Sequence, residues 1–283
     1  MTYDDLWRPL TALYEPGEAK AIVRLLLDER FSLSATDIYC GKVTHLSADD
    51  CALLGEMLHR LLRAEPVQYV LGRASFCGRP FGVGPGVLIP RPETEELCRW
   101  IADKTTVPAP DVLDVGTGSG CIAVSLALDI PGAHVSAWDI SAEALTIARG
   151  NAAALSADVT FALQDALHPP HDTALWDVVV SNPPYICRRE RAAMHRNVLD
   201  YEPSSALFVP DDDPLLFYRA IALYARQALR QGGRLYFEIN PLFADDMAAM
   251  LHGMGYGGIE VRDDGYGKRR FVRGQAPEPP DKE

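Results

Sequence analysis

The chain has 283 residues, 48% apolar and 23% charged, with 27 basic against 39 acidic side chains for a net charge of −12. This is a globular composition, long enough to bury one large core or two modest ones. Net acidity of this size argues against broad affinity for nucleic acid or anionic membranes, because a phosphate surface is bound by neutralising it with Lys and Arg.

The opening MTYDDLWRPL carries two acids where a signal peptide needs a basic end and an apolar stretch, and no apolar run approaches the roughly 18 residues of a membrane helix. A cytoplasmic chain is expected. Ala19, Ile22, Val23 and Leu26 recur at helical spacing, as do Leu54, Met57, Leu58 and Leu61 after the capping-box candidate Ser47 to Asp50. From Leu71 to Val83 short apolar pieces are cut by Gly72, Gly78, Gly82 and Arg79-Pro80, which suggests a hairpin or connector. Residues 1–85 hold 9 basic and 11 acidic side chains, so most of the acidity lies further on.

After Pro108-Ala-Pro110 the pattern alternates between strand and helix. Strands are predicted at Asp111–Val115, His134–Trp138, Val159–Ala162, Trp176–Ser181 and Arg234–Ile239, with helices near 120–129, 141–153 and 214–231. That rhythm is the signature of a parallel sheet covered on both faces. The last of these helices has Asp213 as its expected cap, Pro214 in its first turn and Gly232-Gly233 as its stop. Tyr256–Val261 and Arg269–Arg273 could pair as an antiparallel edge, and the tail from Gln275 is expected to be disordered. The six cysteines form no CxxC pair and the seven histidines no ligand pair at helical spacing, so the thiols read as reduced and mostly buried, with no metal site.

Asp111-Val-Leu-Asp-Val-Gly-Thr-Gly-Ser-Gly120 is a buried strand turning through three glycines into a helix, a geometry that brings backbone N–H groups and a helix N-terminus toward a ligand. A nicotinamide fingerprint would need glycine at 121, where this chain has Cys121, and no GxxxxGK[ST] phosphate loop exists. Asp139 follows at the end of the second strand, placed to accept from both ribose hydroxyls of an adenosine ligand or to cap the helix at Ser141. Asp165, after the third strand, is either an acceptor for an adenine amino group or a plain loop residue.

The fourth strand ends in Asn182-Pro183-Pro184-Tyr185, at the carboxyl edge where open α/β sheets place ligands. The Asn182 side-chain oxygen and the Pro183 carbonyl can each accept one hydrogen of a planar NH2 group, with the Tyr185 ring lying against its plane. Such a site suits an amide or an aromatic amine, whose delocalised lone pair must be turned out of plane before it attacks. The structural alternative is a proline-stiffened turn.

These motifs, with Glu65-Pro-Val-Gln-Tyr-Val-Leu-Gly72, Val87-Leu-Ile-Pro-Arg-Pro-Glu-Thr-Glu95 and Tyr201-Glu-Pro203, resemble the HemK/PrmC family of protein glutamine N5-methyltransferases. The resemblance spans nearly the whole chain. It implies a class I, seven-stranded, Rossmann-like α/β S-adenosylmethionine-dependent methyltransferase domain behind a small N-terminal helical domain. The corresponding division is residues 1–72 helical and substrate-recognising, 73–86 a hairpin-like connector, 87–274 the methyltransferase domain and 275–283 a tail. It further implies transfer of a methyl group to the GGQ glutamine of peptide chain release factors by a cytoplasmic monomer. The cofactor is placed at Gly116, Thr117, Gly118, Ser119, Gly120, Asp139, Asp165, Ala166 and Asn182. The substrate falls at Asn182, Pro183, Pro184 and Tyr185, of which Asn182, Pro183 and Tyr185 carry the catalysis.

Phe237-Glu-Ile-Asn240 departs from the Leu-Glu-His-Gly type of sequence; Glu238 is kept and could orient the tetrad, and no role follows for Asn240. Methylation of a ribosomal-protein glutamine or of an adenine N6 are the rival readings, since NPPY serves those reactions too. A nucleic-acid enzyme would show a basic recognition region, and the only candidate is Arg188, Arg189, Arg191 and Arg196, which otherwise form a solvated face or meet an acidic protein patch. A non-catalytic cofactor sensor would need an impaired tetrad.

Overall fold

The computed structural model describes residues 1–276, which divide by their internal contacts into two units. The first comprises Met1–Ala74 and Met194–Tyr201, the second Ser75–Ala193 and the chain from Glu202 onward.

The first unit is helical. Its longest helices are α1 (Pro16–Phe31) and α2 (Ala48–Leu61), accompanied by short helices at Tyr3–Trp7, Ala35–Tyr39, Val67–Leu71 and Arg196–Leu199. Both expected apolar stripes face one core, where Leu6, Leu10, Val23, Leu26, Leu54 and Leu61 are buried. Each such side chain contributes roughly 1.5–3 kcal/mol of burial. Ser47 caps α2 by accepting from the Asp50 N–H at 3.1 Å, but its hydroxyl donates to the Asp50 carboxylate at 2.7 Å, so the reciprocal half of a capping box is not formed.

The second unit is built on a seven-stranded sheet: β1 (Asp111–Val115), β2 (His134–Asp139), β3 (Val159–Leu163), β4 (Trp176–Ser181), β5 (Leu229–Glu238), β6 (Gly257–Asp263) and β7 (Arg269–Gln275). Their order is β6-β7-β5-β4-β1-β2-β3, parallel from β5 to β3, with β7 antiparallel to both β5 and β6. The reversal of direction in strand order between β1 and β4 opens the crevice in which such sheets bind ligands.

Five helices flank the strands in sequence: α3 (Pro92–Lys104), α4 (Cys121–Asp129), α5 (Ala142–Leu155), α6 (Leu216–Ala228) and α7 (Ala244–Gly253). Period-two alternation sorts the strand residues between the two faces. Val112, Val178, Val180 and Tyr236 join the α3 and α4 side chains Leu97, Trp100, Ile101 and Ile122 in one cluster. Leu113, Val179, Leu235 and Phe237 join Tyr218, Ile221, Met247 and Leu251 from α6 and α7 in the other.

Several boundaries differ from expectation. α3 and α7 were not anticipated, although Leu97, Trp100 and Ile101 keep helical spacing and Pro92 stands at the first helical position, where its missing N–H costs nothing. Asp213 pairs with Arg219 instead of capping α6, and Gly232-Gly233 lie inside β5, which begins as soon as the helix ends. Gln275 belongs to β7 opposite Arg234, and the Ala276 N–H donates to the Gly233 carbonyl at 2.8 Å, so ordered chain continues past the expected start of the tail. Residues 277–283 of the expected tail lie outside the described residues.

The expected hairpin is formed by Arg73–Phe76 and Arg79–Gly82, joined by Cys77 and Gly78 with φ of 48° and 70°, the paired positive values of a tight hairpin turn. All six cysteines are free, but only Cys98, Cys121 and Cys187 are buried, fewer than expected.

Candidate active site

A cavity of about 270 Å³ lies at the carboxyl ends of β1, β2, β3 and β4. Of the residues singled out by sequence, Gly116, Thr117, Gly118, Ser119, Asp139, Asp165, Ala166, Asn182, Pro183 and Pro184 line it, and Gly120 and Tyr185 do not. The parallel register explains the convergence: Val115 pairs with Trp138 and Ser181, and Asp139 with Leu163, so all four loops leave the sheet at one edge.

The glycine loop is held by its own N–H groups. Gly116 and Thr117 both donate to the Trp138 carbonyl at 2.9 Å, and Gly118 donates to Asp139 Oδ2 at 2.8 Å. These donors are spent on shaping the turn, so what Gly116 and Gly118 offer a ligand is room. Both have positive φ, 75° and 56°, and nothing lies within 4 Å of the position a Cβ would take at either. Gly120 has a different duty: a Cβ there would stand 3.0 Å from the Ala148 Cβ, so it permits the close packing of the loop on α5. Asn151, also on α5 and not picked out by sequence, donates to the carbonyls of Ser119 and Gly82 and accepts from the Gly82 N–H.

Under the loop, Asp114 is fully buried, with Oδ2 accepting from the Thr117 hydroxyl at 2.6 Å and the Ala123 N–H at 3.2 Å. Burial pushes its carboxyl up to about 7. Asp139 accepts from the Gly118 N–H on one oxygen and the Ser141 N–H on the other, while Ser141 itself caps α5 through Ala144. A carboxylate has about four acceptor positions, so two remain for a diol. Asp165 is held by the Leu167 N–H and by His168, each at 2.8 Å, and the His168 contact is the main cause of its lowered pKa.

At the end of β4, Asn182 Nδ2 donates to Thr94 Oγ1 at 3.3 Å, and the Thr94 hydroxyl donates to Glu238 Oε2 at 2.6 Å. The Tyr185 hydroxyl donates to the other Glu238 oxygen at 3.1 Å. Burial, followed by the nearby Glu238 charge, pushes the Tyr185 phenol above its ordinary value, so it stays protonated. Asn240 fixes the chain after the tetrad by donating to the Tyr185 carbonyl at 3.2 Å and to Glu190 at 3.1 Å.

The separated signature segments also meet. Glu202 accepts from the Ile89 N–H at 3.0 Å and from Arg91 at 2.6 Å, tying Leu88-Ile-Pro-Arg91 to the Glu202-Pro203 step. Thr94 stands in the Val87–Glu95 segment with no role expected from sequence; its signal is a polar residue on the apolar face of a helix starting at Pro92. In the arginine cluster, Arg189 and Arg191 lie over the rings of Phe243 and Phe208, and Arg196 pairs with Asp200 one helical turn away.

The sheet order, the glycine turn on β1 and the acid at the end of β2 define a class I S-adenosylmethionine-dependent methyltransferase. The family described as Methyltransferase small domain matches residues 96–200, and the PrmC N-terminal domain matches residues 10–72. A release factor glutamine methyltransferase from Bacteroides thetaiotaomicron is 49% identical over 264 residues, covering 93% of this chain and 95% of the relative. Its counterpart from Flavobacterium psychrophilum is 38% identical, covering 93% and 94%. The chain belongs to the release factor glutamine methyltransferase family. A solved protein-(glutamine-N5) methyltransferase (release factor-specific) from Alicyclobacillus acidocaldarius aligns at 29% identity with a TM-score of 0.42, over 70% of this chain and 100% of that one.

Proposed function

We propose that this chain methylates the side-chain amide nitrogen, N5, of the glutamine in the GGQ motif of peptide chain release factors. The observation that carries the reading is the Asn182 amide at the cavity wall with its Nδ2 committed to Thr94, leaving Oδ1 as the acceptor for a bound amide. Family membership supports the choice of protein glutamine over other amides.

The cavity fits S-adenosylmethionine: the floor at Gly116 and Gly118 is clear of side chains, and Asp139 keeps acceptor capacity for ribose hydroxyls. Asp165 and Ala166 would border the adenine. When bound, that cofactor supplies an electrophilic methyl group on a sulfonium centre. Asn182 Oδ1 and the Pro183 carbonyl accept the two hydrogens of the substrate amide and turn its lone pair toward the reacting direction. Pro183 and Pro184 lack N–H groups and restrict φ, so both acceptors sit on stiff backbone. Positioning and aimed acceptors are effects of the right kind, because the methylated amide nitrogen sheds its proton afterwards without a strong base. Tyr185, held protonated against Glu238, does not serve as one.

The helical unit, whose residues 10–72 match the PrmC N-terminal domain, is the part we assign to protein-substrate recognition. The place of action is the cytoplasm, where release factors work, and the acting species is a monomer. Among the described residues no helix is long and apolar enough to cross a membrane. Incubation with methyl-labelled S-adenosylmethionine, release factors, ribosomal proteins and nucleic acid, followed by locating the label, tests the reading. Label on the GGQ glutamine is the expected result; label on a ribosomal-protein glutamine or an adenine overturns it.

A further inference from the structure

A side-chain amide has two ends of similar shape and opposite hydrogen-bonding character, so an Asn that must present its oxygen needs something to hold it the right way round. Asn182 is half-buried, and its own backbone does not fix the choice. Thr94, the third residue of α3, is 3% exposed and stands between Asn182 and Glu238.

A threonine hydroxyl has one hydrogen. Thr94 gives it to Glu238 Oε2 at 2.6 Å, a short bond of the kind made to a carboxylate. Glu238 is 1% exposed, and that burial raises its pKa; the hydroxyl hydrogens it takes from Thr94 and Tyr185 and the nearby Arg270 act in the other direction and favour a carboxylate that only accepts. With its hydrogen committed, Thr94 Oγ1 has only lone pairs for Asn182. The amide must then turn its NH2 to Thr94 and its oxygen to the cavity. The flipped amide would set two acceptors against each other, and leaving such a part-buried pair unsatisfied biases the orientation by roughly tenfold or more.

We propose that Thr94 is a positioning residue for methyl transfer: its hydroxyl, with the hydrogen directed to Glu238, sets the Asn182 amide with Oδ1 facing the substrate. This inference rests on the reading that the cleft takes an amide nitrogen. It also gives a physical reason for the Thr in the Pro-Glu-Thr segment and for the Glu at the end of β5, which are 144 residues apart and meet at one bond.

Four variants of the full chain test it: Thr94→Val, which keeps the shape and removes the hydroxyl; Thr94→Ser, which keeps the hydroxyl; Glu238→Gln; and the double variant Thr94→Val with Glu238→Gln. In Glu238→Gln the new amide can donate to Thr94, freeing the threonine hydrogen to hold Asn182 by its oxygen, the wrong way round. For each, kcat on a release factor, cofactor affinity by calorimetry and the melting temperature are measured. Thr94→Val and Glu238→Gln should each lower kcat by about 30–100-fold, the scale of a misplaced reacting group, with cofactor affinity unchanged. Thr94→Ser should stay within about threefold of the parent, since its hydroxyl makes the same bonds.

The double variant should be no worse in kcat than Thr94→Val, because both changes remove one arrangement. It also leaves no unpaired buried carboxylate oxygen facing the valine, so it reports on kcat if Thr94→Val alone folds poorly. Wild-type kcat in a folded Thr94→Val, equal losses in the Val and Ser variants, or a parallel loss of cofactor affinity would each overturn the proposal. A parent enzyme that labels no glutamine would instead overturn the reading beneath it, a result visible before any variant is made.

Discussion

In the proposed reaction Asn182 serves the substrate and Asp139 the cofactor. Asn182→Ala removes one of two aimed acceptors and should lower turnover by about 100–1,000-fold, as loss of one such electrostatic contact does. Cofactor affinity should be largely unchanged, so a calorimetric titration showing a comparable loss would contradict the division. Asp139→Ala should do the reverse and weaken cofactor binding by about 10–100-fold, the equivalent of one or two hydrogen bonds to a charged group. Part of that loss comes from the Gly118 and Ser141 N–H groups that Asp139 now holds. Asp139→Asn, which keeps one oxygen, should fall between the two in the same titration.

Between β1 and α4 the three glycines of one turn do two different things. Gly118 has φ of 56° with open space at its Cβ position, whereas Gly120 has φ of 80° and would meet Ala148 Cβ at 3.0 Å and Cα at 3.2 Å. An L-residue in this left-handed region costs roughly 1–2 kcal/mol in either place. Gly120→Ala adds a clash with helix backbone, so its urea midpoint should fall clearly below that of Gly118→Ala. Gly118→Ala should instead lose cofactor affinity out of proportion to its stability, because its methyl enters the cleft. Equal effects of the two variants on stability and on affinity would refute this separation. Asn151 acts at the same scale, since one α5 side chain joins the hairpin at Gly82 to the turn at Ser119.

For the molecule as a whole, the buried Asp114 ties stability to pH. Its carboxyl is raised from 3.8 to about 7 by burial, so between those values the folded state binds a proton that the unfolded state releases. Stability from this group therefore falls as pH rises from about 4 to 7 and is level above that, a change on the order of a few kcal/mol. Asp37, lowered to about 2 chiefly by Lys42, has the opposite sign and loses its contribution only as pH falls from 3.8 toward 2. Asp114→Asn should flatten the dependence of the urea midpoint on pH between 4 and 7. An unchanged slope would show that Asp114 does not carry it. The charge of −12 sits mainly outside residues 1–85. Of the four arginines in the candidate basic patch, Arg189 and Arg191 lie over the rings of Phe243 and Phe208 and Arg196 pairs with Asp200.

The sequence alone determined the parts that depend on neighbours along the chain. Strand and helix periods placed β1 and β4 to the residue and β2, β3, β6 and β7 within two residues, whereas β5 begins at Leu229 instead of the expected Arg234; turn chemistry located the glycine loop and the NPPY edge. It missed α3 and α7 and misplaced the α6–β5 boundary, where a Gly-Gly pair read as a helix stop lies within a strand, in the irregular stretch between the Leu229 and Arg234 pairings with β4. Only the tertiary structure decided which polar groups answer each other. Thr94 is 88 residues from Asn182 and 144 from Glu238, and Arg91 is 111 from Glu202. Periodicity is written within a dozen residues, whereas a hydrogen bond needs its two atoms within about 3 Å of each other at the right angle. That condition is met for these pairs only when the sheet brings its strand ends to a common edge.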